Sequence, residues 1–298
     1  MVRKQKTKWL LRQVFILFAF VWCFIFIATA SAEKVIEQDT DNDKITDQRL
    51  FYDKHNRLIR IELDSDQNGH FETVQYYKNA LMLRYEQDKN QDGRPDTLVH
   101  FNDKGKRKKV SIDTNIDGKM DQWQCYTNGR LVRMETDSNI NGSVDTKTFY
   151  SKGKETQSMI DKDHDYFFET RHIYNDPAHS LIIERDLNRD GKPDEVEYYN
   201  KADKLIKSCQ SSDKRLDMCW FYDEHGEAVR AEKDSNNDKA VDQWFFYKAG
   251  KAFRVEQDSN FDGKADLLEY YDDTGAFEKR EKDLNFDGIP DLIETEEN

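Results

Sequence analysis

Apolar and polar residues alternate in short runs along most of this chain, and turn-forming residues interrupt the runs roughly every ten positions. Residues 59–63 read Ile-Arg-Ile-Glu-Leu, and residues 132–135 read Val-Arg-Met-Glu. A period of two predicts β-strands with apolar groups on one face and Arg/Glu pairs on the other, whereas a helical period fits poorly. The pattern therefore predicts short strands joined by turns.

The same unit recurs eleven times at intervals of 23 to 25 residues. Each unit opens with an acidic nonapeptide of the pattern Asp-x-Asp/Asn-x-Asp/Asn-(Gly)-x-x-Asp/Glu, in which seven of the eleven copies have the Gly, and we call it the acidic loop. Positions in a unit are counted from the first residue of its acidic loop. Those first residues are Asp39, Asp64, Asp88, Asp113, Asp137, Asp161, Asp186, Cys209, Asp234, Asp258 and Asp283.

The remainder of each unit predicts a β-hairpin, because two strand-forming runs flank a turn signal. Position fourteen is aromatic in all ten complete repeats. The expected fold is all-β: tandem 24–25-residue β-hairpin repeats, joined by acidic loops, in an elongated antiparallel meander or solenoid. Two repeats together span 48 to 49 residues, which also permits a five-bladed β-propeller of four-stranded blades.

The first 32 residues differ from the repeat array, which is expected to occupy residues 33–298. A basic stretch precedes an uncharged apolar run over residues 14–30, and Ala30-Ser31-Ala32 supplies small residues at a cleavage point. This arrangement predicts a signal peptide, with an uncleaved N-terminal anchor as the alternative. The array is then expected to be exported: to the periplasm, to the cell surface or as a secreted protein.

The charge of the chain is gathered at fixed positions. The formal net charge is −13, and removal of the leader takes away five of the 46 basic residues and none of the 59 acidic ones, which leaves −18. Such a chain repels nucleic acid and anionic membrane surfaces. Nucleic acid is therefore not an expected partner, and a membrane is expected to contact only the possible N-terminal anchor. Of the 59 carboxylates, 33 occupy positions one, three, five and nine of the acidic loops. This concentration of carboxylates at fixed loop positions indicates bound cations rather than a surface that is acidic throughout.

The spacing of these carboxylates suits calcium, a hard cation that takes six to eight oxygen ligands. Side chains at positions one, three and five, a carbonyl at position seven and an acid at position nine supply oxygens, and Gly at position six permits the bend. Magnesium prefers a more rigid octahedral site and suits these loops less well. The predicted Ca²⁺ ligands are Asp39, Asp41, Asp43, Asp47, Asp64, Asp66, Asn68, Glu72, Asp88, Asn90, Asp92, Asp96, Asp113, Asn115, Asp117, Asp121, Asp137, Asn139, Asn141, Asp145, Asp161, Asp163, Asp165, Glu169, Asp186, Asn188, Asp190, Asp194, Asp234, Asn236, Asp238, Asp242, Asp258, Asn260, Asp262, Asp266, Asp283, Asn285, Asp287 and Asp291.

The loop Asp258-x-Asn260-x-Asp262-Gly263-x-x-Asp266 resembles the calcium loops of EF-hands, dockerins and thrombospondin type 3 repeats. The strand half, as in the Tyr-Tyr-Asp-Asp-Thr-Gly run that starts at residue 270, is similar to hairpin-forming bacterial repeats of the MORN-like and YD types. The loop resemblance covers nine positions of each repeat over nearly the whole array. It implies extracellular calcium binding and does not imply an enzyme.

Two departures limit this resemblance. An EF-hand has a bidentate Glu at position twelve, and only Glu197, Glu269 and Glu294 occupy that position here, so a calcium-sensor switch is not supported. The alternative to calcium is a metal-free array of Asx turns, which explains Asn and Gly but leaves clustered carboxylates to repel one another. The prediction is weaker for the loops without Gly at position six, which have Lys44, Tyr166, Lys214 and Lys239 there.

The eighth unit departs most from the pattern. Cys209 replaces the first Asp, Ser211 the second ligand and Lys214 the Gly, so no tight site is expected there. Cys219 follows ten residues later, and in an oxidising compartment a Cys209–Cys219 disulfide would staple this loop. Two separate buried thiols are the alternative. Cys125 lies in a predicted strand and is expected to be a packed free thiol.

The sequence contains no phosphate loop, nucleophile elbow or HExxH motif, so an enzyme is not expected. Two functions remain. In the first, calcium is structural and the array is a scaffold or spacer. In the second, the array binds a surface glycan or another protein in a calcium-dependent, adhesin-like manner, through the aromatic residues Tyr76, Tyr198 and Tyr270.

Overall fold

The computed structural model describes residues 33–174, 176–211 and 216–296, and the expected leader lies outside them. The described residues form strands, turns and loops, and among them no helix has the length and hydropathy needed to cross a membrane. The strands are β1 (Lys34–Gln38), β2 (Gln48–Tyr52), β3 (Leu58–Leu63), β4 (Thr73–Lys78), β5 (Leu81–Gln87), β6 (Thr97–Phe101), β7 (Arg107–Ile112), β8 (Gln122–Thr127), β9 (Arg130–Thr136), β10 (Thr146–Ser151), β11 (Lys154–Ile160), β12 (Thr170–Ile173), β13 (Leu181–Arg185), β14 (Glu195–Tyr199), β15 (Leu205–Ser211), β16 (Leu216–Tyr222), β17 (Ala228–Lys233), β18 (Gln243–Lys248), β19 (Lys251–Gln257), β20 (Leu267–Tyr271), β21 (Phe277–Lys282) and β22 (Leu292–Thr295).

All 22 strands belong to one antiparallel sheet, in which each strand pairs with the strands before and after it in the chain. The sheet is not closed, and β1 and β22 form its two edges. The predicted all-β hairpin meander is therefore confirmed. The alternative of a five-bladed propeller is wrong, because a propeller needs separate blades arranged in a ring, whereas here every hairpin continues the sheet of the previous one.

The sheet is a single layer, since extensive contacts join only strands that are consecutive in the chain. Without a second layer, most strand residues stay partly exposed on both faces. The buried apolar side chains of the described residues are few, and they are Phe51, Val99, Val110, Val196, Cys209 and Ala231.

The two faces do not separate apolar from charged residues as the alternation predicts. Arg60 in β3 lies opposite Phe51 in β2 and opposite Tyr76 in β4, so cations and aromatic rings alternate across one face. The Arg60 guanidinium lies 3.7 Å from the Phe51 ring centroid, a cation–π contact. Its ion pair to Glu62 (Nε–Oε1 3.3 Å) runs along the strand, because residues two apart share a face.

All the acidic loops lie at the same end of the sheet, and the hairpin turns lie at the other, because the two kinds of connection alternate along the meander. From the second loop onward, the backbone N–H at the start of a loop donates to the carbonyl at position nine of the preceding loop, as from Asp64 to Asp47 (2.8 Å) and from Asp137 to Asp121 (2.8 Å). These bonds join the acidic loops into a continuous row, which we call the loop row. Eleven of the sixteen buried polar residues in the described part of the chain are aspartates of this row, so there the loop row contains more buried side chains than either sheet face.

Candidate metal centres in the loop row

The first aspartate of each loop holds the loop closed through both of its carboxylate oxygens. In the second loop, Asp64 Oδ1 accepts the N–H of Asn68 (3.1 Å) and Oδ2 accepts the N–H of Gly69 (2.7 Å). Asp64 is only 3% exposed. A carboxylate has about four lone-pair sites, so two accepted bonds leave lone pairs on the Asp64 oxygens for a cation.

The acid at position nine reaches back across the loop to its start. Asp145 Oδ2 accepts both the N–H (2.7 Å) and the hydroxyl (2.6 Å) of Ser138. Burial by itself would raise the pKa of Asp145, but hydrogen bonds from the Ser138 side chain, from His164 and from two backbone N–H groups lower it below its ordinary value. Asp145 therefore stays ionised inside the loop row.

Sequence reasoning missed the hydroxyl at position two. Thr40, Thr114, Ser138 and Ser235 all follow the first aspartate, and each donates a hydroxyl hydrogen bond to the acid at position nine. The signal was present, because Ser or Thr recurs directly after the first loop residue in these units. These hydroxyls orient the acid without contributing charge.

Positions three and five form Asx turns, in which each side chain accepts the N–H two residues later. Asn115 Oδ1 accepts the N–H of Asp117 (3.1 Å), and Asp117 Oδ1 accepts the N–H of Lys119 (2.9 Å). When position three is Asn, its amide can also donate to the carboxylate at position five, as from Asn115 to Asp117 Oδ2 (3.2 Å). The Asn loops therefore contain an internal donor that partly offsets their charge.

Three loops lack that amide at position three and bring three carboxylates together. The converging oxygens lie within 4.8 Å of one another in each loop. Among the described residues, Asp41, Asp66 and Asp163 are the aspartates at position three of an acidic loop, so the presence of a cluster follows the residue at that position. The clusters are Asp39, Asp41 and Asp43 in the first loop, Asp64, Asp66 and Glu72 in the second, and Asp161, Asp163 and Glu169 in the sixth.

The first loop has the clearest excess of negative charge. The N–H of Asp43 lowers the pKa of Asp41, but desolvation and the charges of Asp43, Asp47 and Asp39 together raise it above its ordinary value. Asp47 is 5% exposed, and its Oδ1 atom is buried without a hydrogen-bond partner among the described residues. A buried carboxylate oxygen without a donor fits a cation ligand.

The sixth loop shares its charge with side chains of neighbouring loops. Arg189 of the seventh loop makes an ion pair with Asp165 and lies 4.0 Å from Asp163. His164 Nδ1 lies 3.1 Å from Asp145 Oδ1 of the fifth loop. The first and second loops differ, because no Lys or Arg of the described chain lies within ion-pair distance of their clustered carboxylates.

The residues that replace Gly at position six keep the glycine-like backbone. Lys44, Tyr166 and Lys239 have φ angles of +78°, +77° and +81°, close to the +90° of Gly263. This left-handed region costs an ordinary residue about 1–2 kcal/mol. The shared hydrogen bonds of the loop therefore impose the conformation even where the residue opposes it. Lys214 lies outside the described residues.

The assignment of Cys209 to the first position of the eighth loop is wrong. Ser211 donates its N–H to the carbonyl of Asp194 (2.8 Å), which is the bond that the first loop residue makes elsewhere in the row. Cys209 lies two residues earlier, in β15, directly opposite Cys219 in β16. The eighth loop is two residues shorter than the others, so a count from the sequence spacing misplaces its start.

Cys209 and Cys219 form a disulfide in the structure, with their Cα atoms 4.0 Å apart. The bond joins two neighbouring strands at the base of the shortened loop. Cys125 is a free, half-buried thiol in β8, and the Arg133 guanidinium lies 3.7 Å from its sulfur.

The aromatic residues expected to bind a ligand lie under cations. Tyr76, Tyr198 and Tyr270 are each half-buried on the face that bears the arginines. The guanidinium of Arg84 lies 4.4 Å from the Tyr76 ring centroid, and Lys279 Nζ lies 4.5 Å from that of Tyr270. These rings therefore support neighbouring side chains and leave little open aromatic surface.

An open groove of about 320 Å³ lies on the opposite face, beside the shortened loop. Met218, Trp220 and Phe245 form its apolar wall. Ala231 lies between Trp220 and Phe245 in register and is completely buried, so its small side chain leaves room between the two rings. Ser211 also lines the groove, and its hydroxyl oxygen is buried without a hydrogen-bond partner among the described residues.

No protein-family model and no curated protein matches this chain. Among solved structures, the chain has a weak likeness to accessory secretory protein 1,2 and 3 of Streptococcus pneumoniae (TM-score 0.22, 12% identity, 41% of this chain and 20% of that chain). It has a similar likeness to the TcdB2-TccC3 complex (TM-score 0.22, 10% identity, 80% of this chain and 16% of that chain). This chain thus spans a fifth or less of the length of each, and TM-scores this low do not establish a shared fold.

Proposed function

We propose that this chain is an exported calcium-binding repeat protein, in which calcium ions held by the loop row stabilise an extracytoplasmic scaffold or spacer. The observation that carries the proposal is the convergence of three carboxylates in the first, second and sixth loops, with no lysine or arginine at the second loop to neutralise them. The buried, partnerless Oδ1 atom of Asp47 supports the same assignment. All of the predicted ligand atoms are oxygens, which hard cations such as calcium prefer.

The metal-free alternative rests on the same loops. Their carboxylates accept backbone N–H groups, and those hydrogen bonds hold an Asx-turn array without an ion. The two proposals differ in what happens to the excess charge. Without a cation, the clustered carboxylates repel one another and cost stability, whereas calcium neutralises them and uses the lone pairs that the N–H groups leave.

The expected contribution of calcium is large because the loops are numerous. At a free calcium concentration tenfold above Kd, each occupied loop gains about 1.4 kcal/mol. Even the three carboxylate clusters alone would then supply about 4 kcal/mol, a substantial part of the 5–15 kcal/mol that stabilises an ordinary domain. Calcium in this role acts on the loop row and not on the sheet faces.

Thermal melting followed by circular dichroism, in calcium and in excess chelator, tests the proposal, with calorimetric titration to count sites. Magnesium at the same concentration is the matched control for ionic strength and divalent charge. We expect a higher Tm in calcium than in magnesium and a lower one in chelator. An identical melt in all three buffers, with no titration heat, would leave the loops as metal-free turns.

A second candidate function is ligand binding in the groove beside the eighth loop. The observation that favours it is the Trp220–Phe245 wall next to the partnerless hydroxyl of Ser211. Flat apolar rings beside polar groups suit a sugar ring, so the class to test is glycans. A glycan screen with the native protein and Trp220→Ala tests it, with Trp123→Ala on the other face as control. Binding that persists in Trp220→Ala would place the site elsewhere.

A further inference from the structure

The sheet has two open edges in the part of the chain that the structure describes. β1 pairs only with β2, and β22 pairs only with β21. The edge strands expose apolar side chains, since Val35 is 44%, Leu292 40% and Ile293 56% exposed. An unpaired edge presents a row of N–H and C=O groups that readily pairs with another strand.

The two edges carry opposite halves of the repeat. Each internal hairpin joins a strand that follows one acidic loop to a strand that precedes the next loop. β22 follows the eleventh loop, and β1 precedes the first, so each lacks the kind of hairpin partner that the other provides. We propose that β22 of one copy of this chain pairs antiparallel with β1 of a second copy, which produces a head-to-tail assembly.

The hairpin formed by β20 and β21 defines the register of this contact. In that hairpin, Leu267 pairs with Lys282, and each following residue of β20 pairs with the preceding residue of β21. The corresponding positions of β22 and β1 form four pairs between copies. The pairs are Leu292 with Gln38, Ile293 with Glu37, Glu294 with Ile36, and Thr295 with Val35.

These pairs fit one another chemically. None of them places two like charges opposite each other, which would be destabilising. Ile293 would lie between Glu281 of its own chain and Glu37 of the second copy, just as Leu268 lies between Glu256 and Glu281 inside the array. The contact also places a neighbouring strand beside the exposed apolar side chains of both edges.

The same register continues the loop row from one copy into the next. Inside the chain, the N–H of Asp283 donates to the carbonyl of Asp266 (2.9 Å), which joins the eleventh loop to the tenth. Across the proposed contact, Asp39 of one copy and Asp291 of the other take the same two repeat positions. Antiparallel pairing of two identical edges would instead put the acidic loops at opposite ends of the sheet. A head-to-tail contact uses two different surfaces, so it extends into arrays unless it closes into a ring.

A disulfide trap tests this contact directly. Asp283 and Asp266 face each other and form a hydrogen-bonded pair. Hydrogen-bonded and non-hydrogen-bonded pairs alternate along an antiparallel ladder, so Arg280 and Glu269, three pairs further on, form a non-hydrogen-bonded pair, in which the Cα atoms lie closer together. Ile36 and Glu294 hold the corresponding positions between copies. We expect Ile36→Cys protein, mixed with Glu294→Cys protein in a Cys125→Ser background, to give a covalent dimer on mild oxidation.

Peptide mapping identifies the bond by its two cysteines. The matched control pairs Ile36→Cys with Ile293→Cys, which is shifted by one residue and faces the other side of the sheet, and it should link far less. A chain that carries both Ile36→Cys and Glu294→Cys should give a ladder of covalent oligomers. Absence of the 36–294 link, or a link formed only within single chains, would overturn the proposal.

Sedimentation velocity provides a second measurement without added cysteines. Ile293 and Glu281 form a non-hydrogen-bonded pair, so the N–H of Ile293 points away from β21. Ile293→Pro removes that donor, and Ile293→Val keeps it. We expect the native protein and Ile293→Val to self-associate at concentrations at least tenfold lower than Ile293→Pro does. Equal behaviour of all three, or a monomer at every concentration, would contradict the contact. The inference does not rest on calcium binding, and the same assays in chelator separate the two.

Discussion

The second acidic loop offers the sharpest separation between a calcium site and a metal-free turn. Asp64, Asp66 and Glu72 bring their carboxylate oxygens within 4.8 Å of one another, and no cation of the described chain pairs with them. Asp66→Asn removes one of the three charges and keeps the side-chain shape. It also gives this loop the Asn that most of the other loops have at position three.

The expected effect has opposite signs with and without calcium. Two like charges at 4.8 Å repel by about 0.9 kcal/mol in water, and Asp66 has two such neighbours, so after screening by salt Asp66→Asn gains about 1 kcal/mol in chelator. In saturating calcium the loss of one carboxylate ligand is expected to raise Kd about tenfold, which costs about 1.4 kcal/mol. The substitution therefore stabilises the metal-free loop and reduces the stabilisation that calcium supplies.

Hydrogen exchange at Gly69 reports on this loop alone, because its N–H donates to Asp64 Oδ2 (2.7 Å). We expect Asp66→Asn to slow exchange at Gly69 in chelator and to diminish the additional protection that calcium confers. The reverse change, Asn115→Asp in the fourth loop, is the matched control and should have the opposite effects at Gly118. If Asp66→Asn speeds exchange in chelator, or if calcium protects the native Gly69 no better than magnesium does, the reasoning fails.

Three further predictions concern parts of the array outside the second loop. Tyr166→Gly should raise Tm by relieving the +77° φ angle, a gain of about 0.5–1 kcal/mol after the added flexibility of Gly, and an unchanged or lower Tm would contradict the strain. Reduction of the Cys209–Cys219 bond should cost up to about 3 kcal/mol of stability and lower Tm. The Cys209→Ser, Cys219→Ser protein should melt at the Tm of the reduced native protein, and added reductant should not change it. Arg254→Ala should cost about 1 kcal/mol, because its guanidinium lies 4.2 Å from the Phe246 ring centroid, and a double-mutant cycle with Phe246→Leu that shows no coupling would refute the stacking.

The hairpin repeat and the ends of its strands could be predicted from sequence because the forces involved are local. The side-chain hydrogen bonds that shape an acidic loop join residues at most seven apart, such as Ser138 to Asp145. Both partners of every such bond lie within one nonapeptide, so each copy of the motif specifies its own loop. The hairpin turns are encoded in the same way, because two or five residues separate the strands of every hairpin except the one formed by β12 and β13.

The assignment of Cys209 to the first position of the eighth loop failed because residue spacing was used to place it, whereas strand pairing determines where this loop starts. A step of 25 residues, as from Asp161 to Asp186, leads to Ser211, whereas a count of nine positions back from the acid Asp217 leads to Cys209, so residue counts alone give two answers. A strand neighbour fixes that choice, through the bond from Ser211 to Asp194, and a residue count along the chain does not contain it. The same limit applies to Arg60, whose ring contact depends on which residue of β2 lies opposite it.

The sequence by itself determined that this protein is an all-β array of hairpins with acidic loops, since period, turns and loop chemistry act over a few residues. Only the tertiary structure decided that the sheet stays open and single-layered, because closure depends on how each hairpin pairs with the next along the whole array. The structure also shows which acidic loops bring three carboxylates together, and there the deciding residue is local. Aspartates recur in every predicted metal loop, but among the described residues three carboxylates converge only in the loops of Asp41, Asp66 and Asp163, where position three is aspartate and not asparagine.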